Sequence, residues 1–264
     1  MNNAGCMSGA GCVTLERDGG VAVLRLCRPE RLNAMSGAMR AAFGDRLRDV
    51  AADGAISVVL LSAEGRAFCA GADLDDMPED AFAWRERLGL AQAQHLALMR
   101  MDKVVLAAVQ GAAFGGGASM ALAADIMVLA EDARLGFPFV HLGLVPDGGA
   151  SFMLQARLGG AVALDVLLTG GTLAADEARR LGLTRRVVPV AELEAATLSL
   201  ARELAGEPRE ALMLTKSLCR RRWASGLEGL LAHELDAFAL ATTTASHRAA
   251  LAAARHRRAA AREG

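Results

Sequence analysis

Asp147 is an acidic residue in an otherwise apolar stretch of the sequence. The ten residues before it, 137–146, carry no charged group apart from His141, and Gly148 and Gly149 follow it. Burial away from water raises the pKa of a carboxyl group towards the working pH of a general base. Aspartate is also a common N-cap of helices. Asp147 is therefore either a catalytic base or the cap of a helix predicted to begin near Gly149.

Two glycine-containing segments could supply backbone donors to the same chemistry. Residues 67–74 and 111–118 each follow a predicted buried strand. Glycine lets backbone N–H groups approach a ligand closely, and a following helix N-terminus adds positive dipole character. Two converging N–H groups form an oxyanion hole, which stabilises negative charge on a thioester or amide oxygen. Plain turn formation is the alternative reading of each segment taken alone.

Other reactive side chains lack the sequence context that their chemistry requires. Cys69 has no histidine partner in sequence reach, so a small buried residue is the default interpretation. The five histidines show no metal-ligand spacing, so no metal is predicted. The five cysteines are odd in number and contain no CxxC pair, which favours a reducing cytoplasm as the location.

Composition limits the classes of partner. The chain has 264 residues, 53% of them hydrophobic, which suits one large domain or a core with a smaller appended piece. A net charge of −1 gives no overall basic field, so no nucleic-acid partner is predicted. The segment 104–124 is apolar and about long enough to cross a bilayer, but it contains Gln110, Ser119 and four glycines. We therefore expect a strand, a loop and a helix there, and no membrane partner.

Strands and helices alternate through the first two-thirds of the chain and must position these candidates. The pattern predicts a hairpin of strands at 13–17 and 21–26, and further strands at 57–62, 104–109 and 125–130. Helices are predicted from after Asn33 to about Ala52, over 81–101 and from Ala118, with 111–117 as a loop. This alternation is typical of an α/β fold.

The last third of the chain is predicted to be largely helical. Helical spacing extends over 174–182, 191–205, 207–223 and 227–261, with one short strand at 186–188. We therefore divide the chain into a disordered extension (1–12), a core (13–205) and a C-terminal helical region (206–264). The basic runs 220–222 and 255–258 are interpreted as solvated helix faces.

Four ordered motifs, at residues 28–35, 68–74, 109–117 and 143–149, resemble the crotonase (enoyl-CoA hydratase/isomerase) superfamily. The resemblance covers about residues 13–255. It implies a crotonase-like ββα spiral core and a C-terminal helical region that mediates trimer packing, commonly in a hexamer of two trimers. It also implies an acyl-CoA thioester as substrate, with CoA as part of that substrate and no separate cofactor. By motif position, the amides of Ala72 and Gly116 would hold the enolate oxygen. The further positions that it implies for substrate binding are Arg28, Leu32, Ala34, Ala70, Asp73, Leu74, Phe114, Gly115, Ser119 and Phe139, with the side chain of Asp73 structural.

The resemblance does not determine which reaction is catalysed, because that depends on the side chains around the oxyanion hole. Family hydratases carry glutamates where this sequence has Ser119 and Phe139. Asp147 stands where Δ3,Δ2-enoyl-CoA isomerases, dienoyl-CoA isomerases and 4-chlorobenzoyl-CoA dehalogenases keep one catalytic carboxylate. The predicted neighbours of this carboxylate, Phe137, Phe139, Leu144 and Val145, would raise its pKa.

The leading hypothesis is an acyl-CoA isomerase with Asp147 as the proton shuttle. The alternatives are hydration, dehalogenation with Asp147 as nucleophile, or an acyl-CoA-binding subunit without catalysis. His141 could orient Asp147, although a structural histidine is the default. Asp75, Asp76 and Glu79 are candidates for a second acid.

Overall fold

The computed structural model describes residues 12–78 and 80–263. Its strands are β1 (Cys12–Asp18), β2 (Val21–Cys27), β3 (Val58–Ala63), β4 (Val104–Val109), β5 (Ala112–Phe114), β6 (Ile126–Ala130), β7 (Arg134–Gly136), β8 (Thr172–Ala174) and β9 (Arg186–Val188). Its helices are α1 (Gly37–Ala52), α2 (Ala81–Arg100), α3 (Gly116–Ala123), α4 (Ala150–Leu158), α5 (Gly160–Thr169), α6 (Ala175–Arg180), α7 (Leu193–Ala205), α8 (Arg209–Thr242) and α9 (Ala245–Glu263). The predicted α/β class is confirmed. The predicted disordered extension lies outside the described residues except for Cys12, where β1 begins.

The larger sheet has six strands in the order β1-β2-β3-β4-β6-β9. Only β1 runs antiparallel to its neighbour, as the hairpin prediction requires, and the remaining pairs are parallel. Every residue of β3 and β4 is buried, because the sheet is covered on both faces. One face packs against the larger hydrophobic cluster with α1 and α2, and the other packs against α7.

The carboxyl ends of β3 and β4 lie at the same edge of this sheet, because the two strands are parallel neighbours. The chain that leaves β3 therefore meets the chain that leaves β4. Single bridges join Met35 to Ala72 and Cys69 to Ala113 at this edge. The second sheet, β5-β7-β8, continues from the same place.

Three predictions about elements were wrong in detail. The predicted loop at 111–117 contains strand β5 and the first residues of α3. The three-residue strands β7 and β8 were not predicted, since they are too short for an alternating pattern. The predicted break near residues 224–226 is absent, and α8 continues to Thr242.

Three consecutive threonines interrupt the helical structure between α8 and α9. Thr242, Thr243 and Thr244 each donate a side-chain hydrogen bond to a carbonyl three residues earlier, and Thr244 Oγ1 accepts from the His247 amide. Such local bonds compete with helix continuation. The C-terminal helices are thus present, whereas the division at residue 206 and the trimer packing stay predictions.

No helix in the described ranges is both long and apolar enough to cross a membrane. The segment 104–124 instead forms β4, β5 and α3, as its glycines and polar residues indicated.

Candidate active site

The two glycine-containing segments run side by side at the edge of the sheet. The Phe68 amide donates to the Gln110 carbonyl at 2.9 Å, and the Cys69 amide donates to the Ala112 carbonyl at 3.0 Å. The Phe114 amide returns a 2.9 Å bond to the Cys69 carbonyl. These main-chain bonds fix one segment against the other.

Glycine is required where the two segments touch. Gly71 has φ +90°, and a Cβ there would lie 2.6 Å from the Phe114 carbonyl oxygen and 3.6 Å from the Gly116 nitrogen. The amides of Ala72 and Gly116 donate to no acceptor in the described part of the chain. Two unused N–H groups therefore belong to segments in direct contact, and one of them, at Gly116, begins helix α3.

The Asp147 carboxyl group lies beside Gly116. A Cβ built on Gly116 would be 3.7 Å from Asp147 Oδ1 and 4.0 Å from Oδ2. Oδ1 is buried and has no hydrogen-bond partner among the residues described. Burial raises the pKa of Asp147 to about 6, and the charge of Arg40 and the nearby Ser119 hydroxyl oppose this shift only in part. The group is a base at neutral pH whose lone pairs are not fully occupied.

Asp147 does not cap the following helix through its side chain. Helix α4 begins at Ala150 with Gly149 as N-cap, and no side chain of that cap takes part. Asp147 contributes only its main-chain oxygen, which accepts from the Ala150 amide at 3.1 Å. The alternative reading of Asp147 as a helix cap is therefore wrong for the carboxylate.

Three buried side chains hold residues 147–149 in place. Ser119 Oγ donates to the Asp147 main-chain oxygen at 2.9 Å, and His95 Nδ1 bonds the Gly148 oxygen at 3.1 Å. Both oxygens of Glu234 lie 3.2 Å from the Gly149 nitrogen. Burial lowers the pKa of His95 to about 4, so its ring is neutral and Nδ1 is the donor. The loop is thus fixed from α3, α2 and α8.

Arg40 places a buried positive charge near this loop. It lies on α1, is 8% exposed, and its Nε has no hydrogen-bond partner in the described chain. Burial and the neighbouring Arg87 lower its pKa, while the Asp147 carboxylate opposes that change. Burial raises the pKa of Cys69 and lowers that of His95, and the charge of Arg40 opposes the first shift and adds to the second. Arg40 therefore acts on several buried groups of this region.

An adjoining cleft brings together four of the ten predicted substrate-binding residues. It has a volume of about 520 Å³ and is lined by Leu32, Ala34, Ala70 and Leu74 of that set. Ala72, the predicted donor, lines it as well. Its wall also carries Glu30 and three basic residues, Arg31, Arg66 and Arg258. Phe114, Gly115 and Phe139 do not line this cleft but lie close to Gly116 in the chain or in space, since the Phe139 ring would be 3.8 Å from a Cβ on Gly115.

Arg28 and Asp73 bind each other beside this cleft. Arg28 Nη1 donates to Asp73 Oδ2 at 2.7 Å, and Arg258 Nη1 from α9 donates to Asp73 Oδ1 at 3.1 Å. Burial raises the pKa of Asp73, but the bonds from Arg28, the Asp75 amide and Arg258 outweigh it, so the net pKa is lowered. The side chain of Asp73 thus joins the C-terminal helix to the first motif.

Replacing Asp73 by Asn is expected to lower the free energy of unfolding by about 2–3 kcal/mol at pH 7, because two guanidinium groups lose their counter-charge. A carboxylate with a lowered pKa stabilises the fold above the pKa of its unfolded form and loses this effect as the pH falls. In urea titrations, the difference in free energy of unfolding between Asp73→Asn and the unchanged protein should therefore shrink below about pH 4. Asp75→Asn, on a more exposed carboxylate, serves as control. Equal stability of Asp73→Asn and the unchanged protein at pH 7 would refute the assignment.

Several sequence candidates lie away from Asp147. His141 is exposed and packs on Gly170, and His95 takes the orienting position instead. Asp75 pairs with Arg31, and Asp76 accepts from the Gly37 amide, so neither supplies a second acid beside Gly116. Glu79 lies outside the described residues. Burial raises the pKa of the Cys69 thiol to about 11, which keeps it protonated.

Sequence reasoning missed Glu234, His95 and Arg40. The sequence pattern around Glu234 could have indicated it, because Glu234 shares the helical spacing of Leu227, Leu231 and Phe238. All four residues are buried in the structure. An acid in such a stripe is rarely buried without a partner. Which partner it has depends on the packing of α8 against α2 and α4, and this is not visible in the local sequence.

The sequence matches the family model for enoyl-CoA hydratase/isomerase over residues 16–261. The chain belongs to this family. A 1,2-epoxyphenylacetyl-CoA isomerase of Escherichia coli is 35% identical over 89% of this chain and 91% of its own length. A short-chain-enoyl-CoA hydratase of Clostridium acetobutylicum is 31% identical over 91% and 93%.

Solved structures of the family agree with this fold. An enoyl-CoA hydratase structure from Mycobacterium avium subsp. paratuberculosis superimposes with a TM-score of 0.85 at 28% identity, covering 91% of this chain and 97% of that one. The resemblance to the crotonase superfamily is confirmed. The chain is an enzyme of the family's acyl-CoA hydratase, isomerase or dehalogenase kind.

Proposed function

We propose that the protein is an enoyl-CoA isomerase that moves a double bond through an enolate thioester, with Asp147 as its single proton shuttle. One observation carries this proposal: the buried Asp147 Oδ1 has no partner among the described residues and lies beside the unused Gly116 amide. A base and an oxyanion donor adjacent to each other suit proton removal next to a thioester carbonyl.

The Ala72 and Gly116 amides would hold the thioester oxygen. Negative charge develops on that oxygen as the proton leaves, so donors fixed in advance stabilise the transition state more than the substrate. Each such donor contributes about 3 kcal/mol in comparable sites. The main-chain bonds between the two glycine segments support this role, since they fix both donors before the substrate binds.

Asp147 would accept the proton and return it two carbons further along the acyl chain. A pKa of about 6 leaves the carboxyl ionised at pH 7 yet close enough to neutrality to give the proton back. Because the same group performs both transfers, no second acid is needed. Ser119 and Phe139, at the hydratase glutamate positions, cannot activate water at this pH.

The adjoining cleft would take the CoA part of the substrate, and we propose no further cofactor. Arg66 on its wall suits a phosphate group, whereas Arg31 and Arg258 are already paired with Asp75 and Asp73. We also propose a homotrimer, or a hexamer of two trimers, built on the C-terminal helices. The exposed Leu214 and Leu218 on α8 support a contact there.

A dehalogenase-like reaction is the second candidate, because the free Asp147 Oδ1 could also act as a nucleophile. In that route the carboxylate attacks the halogen-bearing ring carbon, halide leaves, and an aryl ester of Asp147 forms.

Incubation with 3-enoyl-CoA, 2-enoyl-CoA and halogenated aryl-CoA esters, followed by NMR and mass spectrometry, tests these functions. We expect 3-enoyl-CoA to become 2-enoyl-CoA without change of mass. Gain of water as the main reaction would identify a hydratase, and an adduct on Asp147 would identify the nucleophilic route. If every ester binds and none is converted, the protein is an acyl-CoA-binding subunit without catalysis.

A further inference from the structure

Glu234 is a buried carboxyl group for which the proposed reaction has no use. It lies on α8 and is 5% exposed, in the stripe otherwise occupied by Leu227, Leu231 and Phe238. A buried acid at a core position lowers stability unless hydrogen bonds or a charged partner compensate its loss of water. The contacts of Glu234 lead to the Asp147 loop.

The carboxyl group of Glu234 lies at the N-terminus of α4. Oε1 and Oε2 are each 3.2 Å from the Gly149 nitrogen, and Gln92 Nε2 donates to Oε1 at 3.0 Å. Gln92 Nε2 also donates to the Leu231 carbonyl at 3.0 Å, which fixes the amide in place. Oε1 can accept the bond from the Gly149 amide and the bond from Gln92 Nε2. Oε2 is then available to carry a proton.

Glu234 thereby makes the side-chain hydrogen bond at the start of α4 that Asp147 would make as a helix cap. Gly149 is the N-cap of α4 and has no side chain, and Asp147 offers only its main-chain oxygen. Because a carboxyl group 85 residues further along the chain binds the Gly149 amide, the Asp147 side chain is free to face Gly116.

The surrounding charges favour a neutral Glu234. Burial raises its pKa to about 8, the Asp147 charge adds to this, and the bonds from Gln92 and the Gly149 amide oppose it. Asp147 is the charged group that acts on Glu234 directly, and His233 on α8 is exposed. His95 on α2 bonds the neighbouring Gly148 oxygen, and Arg40 on α1 acts on Asp147. As the pH rises, Asp147 loses its proton before Glu234 does.

We propose that Glu234 is a positioning residue, held as a neutral carboxylic acid, that caps α4 in place of Asp147. It leaves Asp147 as the negatively charged group beside the oxyanion donors. This inference rests on the proposed function of Asp147, but it concerns a different residue and a different observable.

Two substitutions separate positioning from other roles. Glu234→Gln keeps a carbonyl oxygen for the Gly149 amide and has no charge, so kcat should stay within about threefold of the unchanged protein. Glu234→Leu removes the acceptor, and kcat should fall about a hundredfold with little change in KM, as for a shifted catalytic group. Glu228→Leu, on the exposed face of the same helix, is the matched control.

The pH profile adds a readout that a merely structural residue would not affect. With a neutral Glu234, the acid limb set by Asp147 should keep its position in Glu234→Gln. A shift of that limb to lower pH would mean that an ionised Glu234 had been raising the pKa of Asp147, and it would overturn the proposal. Normal kcat in Glu234→Leu would also overturn it, as would a Glu234→Gln variant as inactive as Glu234→Leu.

Infrared spectroscopy of the protein without substrate gives the protonation state directly. A protonated carboxyl band at pH 7 that is absent from Glu234→Gln supports the proposal, and no such difference overturns it. This result does not depend on turnover or on whether Glu234→Leu folds. Failure of the Asp147 assignment would instead appear as normal turnover in Asp147→Asn, so the two failures are distinguishable.

Discussion

Asp147→Asn is expected to reduce double-bond migration by about a thousandfold or more, while CoA-ester binding persists. The amide cannot accept a proton, and general-base groups commonly contribute about 10²–10⁴ to the rate. The side chains differ little in size, and the Asp147 contacts to Ser119 and Ala150 use the main-chain oxygen. Steady-state kinetics and a binding titration measure the two effects separately.

The same substitution should stabilise the fold at neutral and alkaline pH. Asp147 has a raised pKa in the folded protein, so the folded state holds its proton more tightly than the unfolded chain does. The stability that the unchanged protein loses as the pH rises from about 4 to 6, up to about 3 kcal/mol, is not lost when the charge is removed. Below about pH 4 the two proteins should be equally stable.

Urea denaturation at pH 4 and pH 8 checks this difference. Asp165→Asn, on the exposed surface of α5, is the matched control and should show little change at either pH. An Asp147→Asn variant that is less stable than the unchanged protein at pH 8 would show that the carboxylate is satisfied by the fold. That outcome would contradict the account of Asp147 as a group kept free for chemistry.

Gly117→Ala is expected to destabilise the protein by about 3 kcal/mol or more and to abolish turnover. Gly117 lies in α3, and a Cβ there would be 2.2 Å from the Cys69 carbonyl oxygen and 2.9 Å from its carbonyl carbon. Both atoms are backbone of the neighbouring glycine segment, so the clash can be relieved only by moving the segments apart. The Ala72 and Gly116 donors would then lose their relative placement.

Gly89→Ala is the control for this prediction. Gly89 also lies in a helix, α2, and a Cβ there meets no heavy atom within 4 Å. Alanine should therefore stabilise that helix by up to about 1 kcal/mol. Thermal unfolding of both variants, with activity measured on folded protein, gives the comparison. Similar stabilities for Gly117→Ala and Gly89→Ala would contradict the close packing of the two segments.

The elements that place the two proposed oxyanion donors could be predicted from sequence because their signals are local. Strands β3 and β4 are short apolar runs, and parallel pairing brings their ends together. The positions of the four motifs then gave Ala72, Gly116 and Asp147 as candidates. Geometry adds that the Ala72 and Gly116 amides have no acceptor in the described chain and that the Asp147 side chain does not cap α4.

The rest of the site depends on contacts between distant parts of the chain. Glu234 reaches Gly149 from α8, and His95 reaches Gly148 from α2. Arg40 lies in a helix whose pattern predicts only that it packs against the sheet. The small sheet escaped prediction because each of its strands has three residues, fewer than an alternating pattern needs.

Hydrogen exchange at C2 of a bound enoyl-CoA in D2O tests the central claim most directly. In the proposed mechanism the proton that Asp147 removes from the substrate can exchange with solvent before its return, so deuterium should enter the product with the unchanged protein. With Asp147→Asn, exchange should fall to the rate without enzyme, although the ester still binds. Exchange at an unchanged rate in Asp147→Asn would contradict the assignment of Asp147 as the base.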